Sequence, residues 1–362
     1  MNWLLVALGL AVVASVLGYR LRRRREQAQA YLKGVRSMIS DDPDAAIQAL
    51  SDAARLTSPE AVETYLALGD LFKREGDLTR AIRLHRNMLH RPGLPAPRRA
   101  EVERELADDY RRAGMLADAA EAYRKLMEAG DALAAAGLRD VLVDQKRHAE
   151  AVEIQRTRCP PDARLLAHLL AARSREARER GGEEAVAVAR EAVEADPGCA
   201  DAQVALAEAL ASAGNEGDAR DALAQGLAAA PEAALLSWPA LRELSPGSAS
   251  AVLDQALLAR PGDARLLALR GRLLAHTGRP DLALQPLREA LAADPEGEVT
   301  LSLRELLREA PPPGPGELAG RHDLLAAALL RSAGLLRCRR CGGGAPGRSW
   351  RCPRCGTFDA YP

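Results

Sequence analysis

The sequence predicts an all-α solenoid of helix–turn–helix units, with one N-terminal transmembrane helix before it and a small C-terminal four-cysteine module after it. Three observations carry that expectation. Small residues, glycines and prolines return in one register at intervals near 34 residues. Aromatic residues are only 3% of the chain and alanine is abundant, which suits closely packed helices better than a β-sandwich. Two C-x-x-C pairs stand near the end, far from any other cysteine. The clearest unit runs from Asp263 to Pro295. Gly271 lies in its first helix and Gly278 ends that helix. Ala283, Leu287 and Ala290 mark the second helix, and Pro295 closes the unit because proline cannot continue it.

The same register recurs upstream, in Ala207, Gly214, Ala219, Leu223 and Pro231. It recurs again in Arg173, Ala185, Ala189, Ala192 and Pro197, with Arg173 departing from the small residue expected there. Pro197 to Pro231 is 34 residues, Pro231 to Pro261 is 30, and Pro261 to Pro295 is 34. A strong copy lies near the front: Tyr65, Leu68, Gly69, Phe72, Gly76, Ala81, His85 and Met88. This pattern resembles the tetratricopeptide repeat. Gly271 takes its eighth position, where two helices cross too closely for a side chain, Ala283 its twentieth, and Pro295 its thirty-second. Such pairs cannot bury their apolar faces alone, so neighbours are expected to stack.

The 362-residue chain carries 50 basic and 50 acidic residues, so no global attraction to nucleic acid or membrane follows. The distribution is more telling. Trp3 to Tyr19 has no ionisable group except the Tyr19 phenol, and Arg20, Arg22, Arg23, Arg24 and Arg25 follow at once. As a helix this run reaches about 25 Å, the short end of what spans a bilayer. A secretory signal would place its basic residues first. Residues 1–19 are therefore expected to anchor the chain in a membrane. The N-terminus would lie outside and the bulk of the chain in the cytoplasm, with 20–30 as a basic juxtamembrane segment.

The solenoid is expected over 31–310. Gly34 and Ala46 open it, and Pro92, Pro95 and Pro97 mark an insertion between two units. The next unit holds Leu106, Ala107, Tyr110, Gly114, Ala119 and Tyr123. A weaker one spans 131–158, with Leu142 and Ala151 in place. Residues 232–260 are degenerate, because Trp238-Pro239 and Ser245-Pro246-Gly247 leave room for only a short first helix. A Pro/Gly linker and a capping helix follow at 311–334, with Leu318, Leu324, Leu325, Leu329 and Leu330 as the apolar stripe.

Residues 335–362 carry the chemistry. Cys338 and Cys341 form one knuckle and Cys352 and Cys355 another. Two knuckles supply the four sulfurs of a tetrahedral site, and a cytoplasmic location argues against two disulfides. With every ligand from protein, no position is left for substrate, so one structural metal ion, zinc or iron, is expected. Cys159 and Cys199 read as small buried apolar residues. The histidines are scattered, and His85 reads as packing. No nucleophile elbow, phosphate loop or dinucleotide fingerprint is present, so no enzymatic activity is expected. Arg337, Arg339, Arg340, Arg348, Arg351 and Arg354 make the module basic, but Trp350, Phe358 and Tyr361 are few for stacking nucleic-acid bases, and no nucleic-acid partner is expected. On the first helices of adjacent repeats an acid followed by two bases recurs: Asp70, Lys73 and Arg74, then Asp108, Arg111 and Arg112. Those charges are the sequence-level choice for a partner-binding groove.

The order of anchor, repeats and cysteine module resembles the lipopolysaccharide assembly protein B family. So do the strings Leu68-Gly69-Asp70-Leu71-Phe72, Arg80-Ala81-Ile82-Arg83-Leu84-His85, Arg337-Cys338-x-x-Cys341-Gly342 and Trp350-Arg351-Cys352-Pro353-x-Cys355. The resemblance implies a rubredoxin-like metal-binding module with Cys338, Cys341, Cys352 and Cys355 as ligands. It implies an inner-membrane adaptor that presents the lipid A pathway deacetylase to the FtsH protease, restrained by a membrane sensor protein. Self-association is left open. The Pro and Gly residues at 311–316 and 342–347 depart from the family's pattern. Two other readings remain on the residues alone: a membrane-tethered scaffold for envelope assembly enzymes, and a zinc-ribbon factor associated with RNA or ribosomes.

Overall fold

In a computed structural model the chain is described at residues 15–20, 22, 26, 62–90, 94–181, 183–294, 299, 336–345 and 349–361. Paired helices run in sequence: α1 Val62–Arg74, α2 Leu78–Leu89, α3 Ala96–Arg112, α4 Leu116–Glu128, α5 Ala134–Asp144, α6 His148–Arg158, α7 Ala163–Glu179, α8 Ala185–Ala195, α9 Ala200–Ser212 and α10 Glu216–Ala229. A 3-10 turn, Pro231–Ser237, and the short α11, Trp238–Leu241, replace one first helix. Then come α12 Pro246–Ala259, α13 Ala264–His276 and α14 Pro280–Ala292. The all-α repeat architecture is as expected, including the shortened segment around Trp238-Pro239.

The helices form where the apolar period says they should. On α1, Val62, Tyr65, Leu68, Gly69 and Phe72 are buried, a 3-4 spacing that puts them on one face. Asp77 caps α2 by accepting from the Arg80 N–H at 3.0 Å, and Asp162 and Asp263 cap α7 and α13 in the same way. First helices end on Gly76, Gly114, Gly214 and Gly278, each seven residues past the crossing position and each with φ between 75° and 78°, a left-handed turn that costs glycine no Cβ clash.

The crossing itself explains the small residues. A Cβ on Gly69 would stand 2.4 Å from His85 Nε2, and one on Gly271 would stand 2.5 Å from Leu287. The gap is filled by the side chain sixteen residues on, and Ala81 and Ala283 are buried beside it. The Arg173 departure resolves as a register slip. The buried residue at that crossing is Ser174, whose hydroxyl donates to the Ala185 carbonyl at 2.8 Å, while Arg173 is half-buried. An arginine could not enter so close a crossing without leaving a charge unpaired.

The chain divides into two compact units, Met1–Gln145 and Lys146–Pro362. In the first, ion pairs tie consecutive first helices together: Lys73 to Glu105, Arg98 to Glu63, and Arg111 to Asp140 and Asp144 at 3.2 and 2.5 Å. In the second, one apolar cluster runs from Val204 and Leu223 through Trp238 and Leu241 to Leu253, Leu269 and Leu287. The terminal module belongs to this unit, and its β1 Leu336–Arg337 pairs antiparallel with β2 Gly344–Ala345.

Of the apolar N-terminal run, residues 15–19 are helical and exposed, while 3–14 lie outside the described residues. Among the described residues no helix is long and apolar enough to cross a membrane. The expected unit at 31–60 and the capping helix at 317–333 also lie outside them.

Candidate functional site: the four-cysteine module and its seat on the repeats

The two knuckles are built alike. Cys338 N–H donates to the Gly343 carbonyl at 3.0 Å and Gly342 N–H to the Cys338 carbonyl at 2.9 Å. Cys352 N–H donates to the Thr357 carbonyl at 2.8 Å and Gly356 N–H to the Cys352 carbonyl at 2.9 Å. Each turn needs a left-handed residue just after its second cysteine, and Gly342 and Gly356 supply it with φ of 66° and 73°. The C-x-x-C-G string therefore dictates where the sulfurs point.

All six cysteines are free. Sγ of Cys338 lies 3.6 Å from Sγ of Cys355, and Sγ of Cys341 lies 3.9 Å from that of Cys352. The four sulfurs lie within 4.8 Å of one another. A tetrahedral four-thiolate site with metal–sulfur bonds of about 2.3 Å has edges of about 3.8 Å. The donor set fits one structural metal ion, held by Cys338, Cys341, Cys352 and Cys355, and zinc and iron both suit it. Burial works against the Cys352 thiolate, but N–H groups of Cys355 and Arg354 and the Tyr361 hydroxyl bring its pKa down to about 6. Burial and the neighbouring sulfurs push Cys341 up to about 11. The bound ion would supply charge neutralisation for thiolates that repel one another, and with it folding energy for the module.

The module sits on the repeats of its own unit through Trp350, Phe358 and Asp359. Trp350 packs beside Ala200, Ala230, Ala233 and Leu236. Phe358 stacks on the His168 ring, with centroids 4.7 Å apart and an interplanar angle of 18°. Asp359 Oδ2 accepts from Arg164 Nε at 2.8 Å and pairs with His168 Nε2 at 2.9 Å. The other His168 nitrogen, Nδ1, meets Asp201 Oδ2 at 2.7 Å. Asp201 in turn pairs with Arg175 at 2.7 Å, and Arg175 with Glu208 at 2.8 Å.

Burial disfavours charge on His168, but hydrogen bonds to Asp201, Asp359 and Cys199 outweigh it and hold the imidazole's pKa up at about 11. Burial likewise opposes the Asp359 carboxylate, while His168 and Arg164 bring its pKa down to about 2. The seat is a buried imidazolium between two carboxylates.

No motif pointed to His168, Asp201 or Arg164 as a group, and the histidines read as scattered. The structure corrects that for His168, because α7 and α9 bring together residues 33 positions apart. Two signals were present. Arg164 and His168 are one helical turn apart, and Asp359 is the single acid in a module with six arginines.

The structure places the other sequence-selected residues as follows. His85 is fully buried against Gly69, its Nδ1 2.6 Å from Asp109, as a packing residue. Cys199 is buried and Cys159 half-buried. Lys73 is enclosed between Asp70 and Glu105, its side chain only 6% exposed, and burial is outweighed by those acids so that its pKa is raised. Arg111 is 15% exposed between Asp140 and Asp144. Arg74 and Arg112 are exposed, the latter paired with Asp108 at 2.8 Å, and Asp70 is exposed. The repeated acid–base–base pattern thus splits into an inward base that ties repeats together and an outward base that faces solvent.

Comparison with protein-family models agrees with the repeat geometry. Two family models described as tetratricopeptide repeat match this chain, one at residues 40–86 and 240–298 and one at 182–238. Lipopolysaccharide assembly protein B from Escherichia coli strain K12 is 28% identical over 129 residues, which is 33% of this chain and 33% of that protein. The same protein from Escherichia coli O157:H7 gives the same figures. The match thus spans about a third of the length of these curated relatives. A tetratricopeptide repeat protein from Parabacteroides merdae is 16% identical with a TM-score of 0.36, covering 78% of this chain and 98% of its own. The TPR2AB domain of yeast Sti1 in its pHSP90 complex is 16% identical with a TM-score of 0.31, covering 84% and 98%. The chain thus carries tetratricopeptide repeats in the matched segments and is similar to lipopolysaccharide assembly protein B over about a third of its length.

Proposed function

We propose that this chain is an inner-membrane adaptor in lipopolysaccharide assembly. In this reading it grips the lipid A pathway deacetylase with its repeats and presents it to the FtsH protease, under restraint from a membrane sensor protein. The observation that carries the reading is the combination of tetratricopeptide repeats and a metal-ready cysteine module seated on them, in a chain similar to lipopolysaccharide assembly protein B. In this reading the cysteine module is structural, and the effect on a client passes through another enzyme.

The apolar run at 3–19 is the anchor in this reading, and the five arginines after it keep the repeats on the cytoplasmic side. Confinement to the membrane raises the local concentration of client near a membrane protease without any new contact. The test is a chase of deacetylase level after translation is stopped. Loss of the chain lengthens the deacetylase's half-life and raises lipopolysaccharide. An unchanged half-life in the deletion strain would reject the adaptor reading and favour a scaffold for envelope assembly enzymes.

A further inference from the structure

His168 and His85 are built by the same local logic and end differently. Each is fully buried, and each gives Nδ1 to an aspartate of a later first helix, Asp201 and Asp109 respectively. The Nε2 of His85 turns inward against Gly69. The Nε2 of His168 meets a carboxylate that no repeat provides, that of Asp359. The other charged groups of this seat come from the repeats. Asp201 fixes the ring, Arg175 holds Asp201, and Arg164 is held by Asp196 at 3.2 Å and the Gly198 carbonyl at 2.7 Å. The repeats therefore present a prearranged pair of donors at an imidazole edge that the terminal module covers, a receptor for one aromatic ring followed by one carboxylate.

The terminal module supplies that ligand as Phe358-Asp359. Asp359 is its one acid, and it adopts a left-handed φ of 46° to reach the donors. Its side chain is 39% exposed, so the rim of the clamp is open to solvent while His168 beneath is closed. The cysteine knuckles that shape the module make no use of Phe358 or Asp359 side chains in gathering the sulfurs. Docking and metal-site formation are thus separable.

We propose that the Arg164–His168 face of α7 is a recognition site for a short aromatic–acidic protein segment, filled in cis by Phe358-Asp359 and opened to a partner's segment when the module is displaced. The proposal rests on the reading of the repeats as a protein-binding scaffold, but not on lipopolysaccharide assembly. One carboxylate oxygen takes both donors and brings a charge to balance them, whereas an amide oxygen could accept the bonds but would bring no charge to the imidazolium and Arg164. An aromatic residue before it covers the His168 ring as Phe358 does.

The experiment uses the full chain, zinc-loaded in detergent, and a fluorescein-labelled peptide copying Gly356 to Tyr361, with a second peptide carrying asparagine in place of the aspartate. Fluorescence anisotropy reads binding. The variant Phe358→Ser with Asp359→Asn, its four cysteines intact, binds the aspartate peptide about tenfold or more tighter than the natural chain, and adding His168→Gln removes the gain. A measurement on the natural chain guards against a variant that loses its zinc: millimolar aspartate peptide raises amide exchange at 349–361 and leaves 336–345 protected. Equal binding of the two peptides, or neither a gain in the variant nor displacement in the natural chain, would overturn the proposal and leave cis packing alone. An unchanged deacetylase half-life in cells would not bear on this result, and absent peptide binding would not bear on the half-life.

Discussion

At residue scale, two buried histidines set the sharpest expectations. Gly69 lies under the His85 ring, and that ring is pinned by Asp109, so it cannot swing away from an added methyl. Gly69→Ala should therefore cost about 1–3 kcal/mol in urea unfolding, and His85→Ala in the same chain should recover part of the overpacking. A neutral response to Gly69→Ala would mean the crossing is looser than 2.4 Å implies. The second expectation concerns pH. His168 has its pKa raised from 6.5 to about 11, so its contribution to the seat is complete below 6.5 and is lost as pH rises through 11. Asp359 has its pKa lowered from 3.8 to about 2, so its contribution is complete above 3.8 and is lost as pH falls through 2. Asp201, Arg175 and Arg164 face the pair and keep their charges through the neutral range, because each is held by an opposite charge. Docking of the zinc-loaded module should weaken as pH rises from 6.5 toward 11, read from Trp350 fluorescence. His168→Gln should flatten the alkaline limb, and a limb that persists in that variant would assign it to another group.

At the scale of elements, the knuckles and the helix-to-helix ion pairs behave as separate modules. Cys352→Ser should lower metal content below one ion per chain and raise amide exchange over 336–361, leaving the helical signal intact, since no helix contributes a ligand. Melting of the repeats in step with metal loss would contradict that independence. The inward bases are a different matter. Reversing Lys73 or Arg111 to glutamate would bring a carboxylate against two others at each site, and loss of either partly buried base should cost about 1–3 kcal/mol. A clean test of the first-unit groove therefore changes only Arg74 and Arg112 to glutamate. Client binding should weaken at low salt with urea midpoints unchanged. Binding that stays constant across salt would move the contact elsewhere.

On the scale of the whole molecule, the proposed adaptor needs its anchor for geometry rather than for folding. A copy lacking residues 1–19 should fold and carry metal, yet rescue deacetylase turnover poorly at matched expression, because it loses confinement near the protease. Full rescue by the soluble copy would remove the membrane from the mechanism. A periplasmic signal from a reporter fused after Pro362 would reverse the proposed topology.

What the sequence determined by itself was whatever depends on local rules. The helix pairs, their glycine stops and the degenerate stretch at 232–260 follow from apolar period, left-handed backbone and proline, all readable within a few residues of Gly278 or Pro239. The cysteine site was legible for the same reason, since C-x-x-C-G fixes its own turn before any tertiary contact forms. Tertiary structure decided the rest. Lys73 and Arg74 are adjacent in the chain, yet only the packing of α3 beside α1 makes one a tie and leaves the other in solvent. Whether Arg173 or Ser174 entered the crossing depended on which one fitted against Ala185. His168 and Asp359 are 191 positions apart, and no spacing rule joins an imidazole to a carboxylate over that distance. Their pairing exists because α7 and α9 close an imidazole out of water with one nitrogen satisfied, and a buried cation must find a second acid.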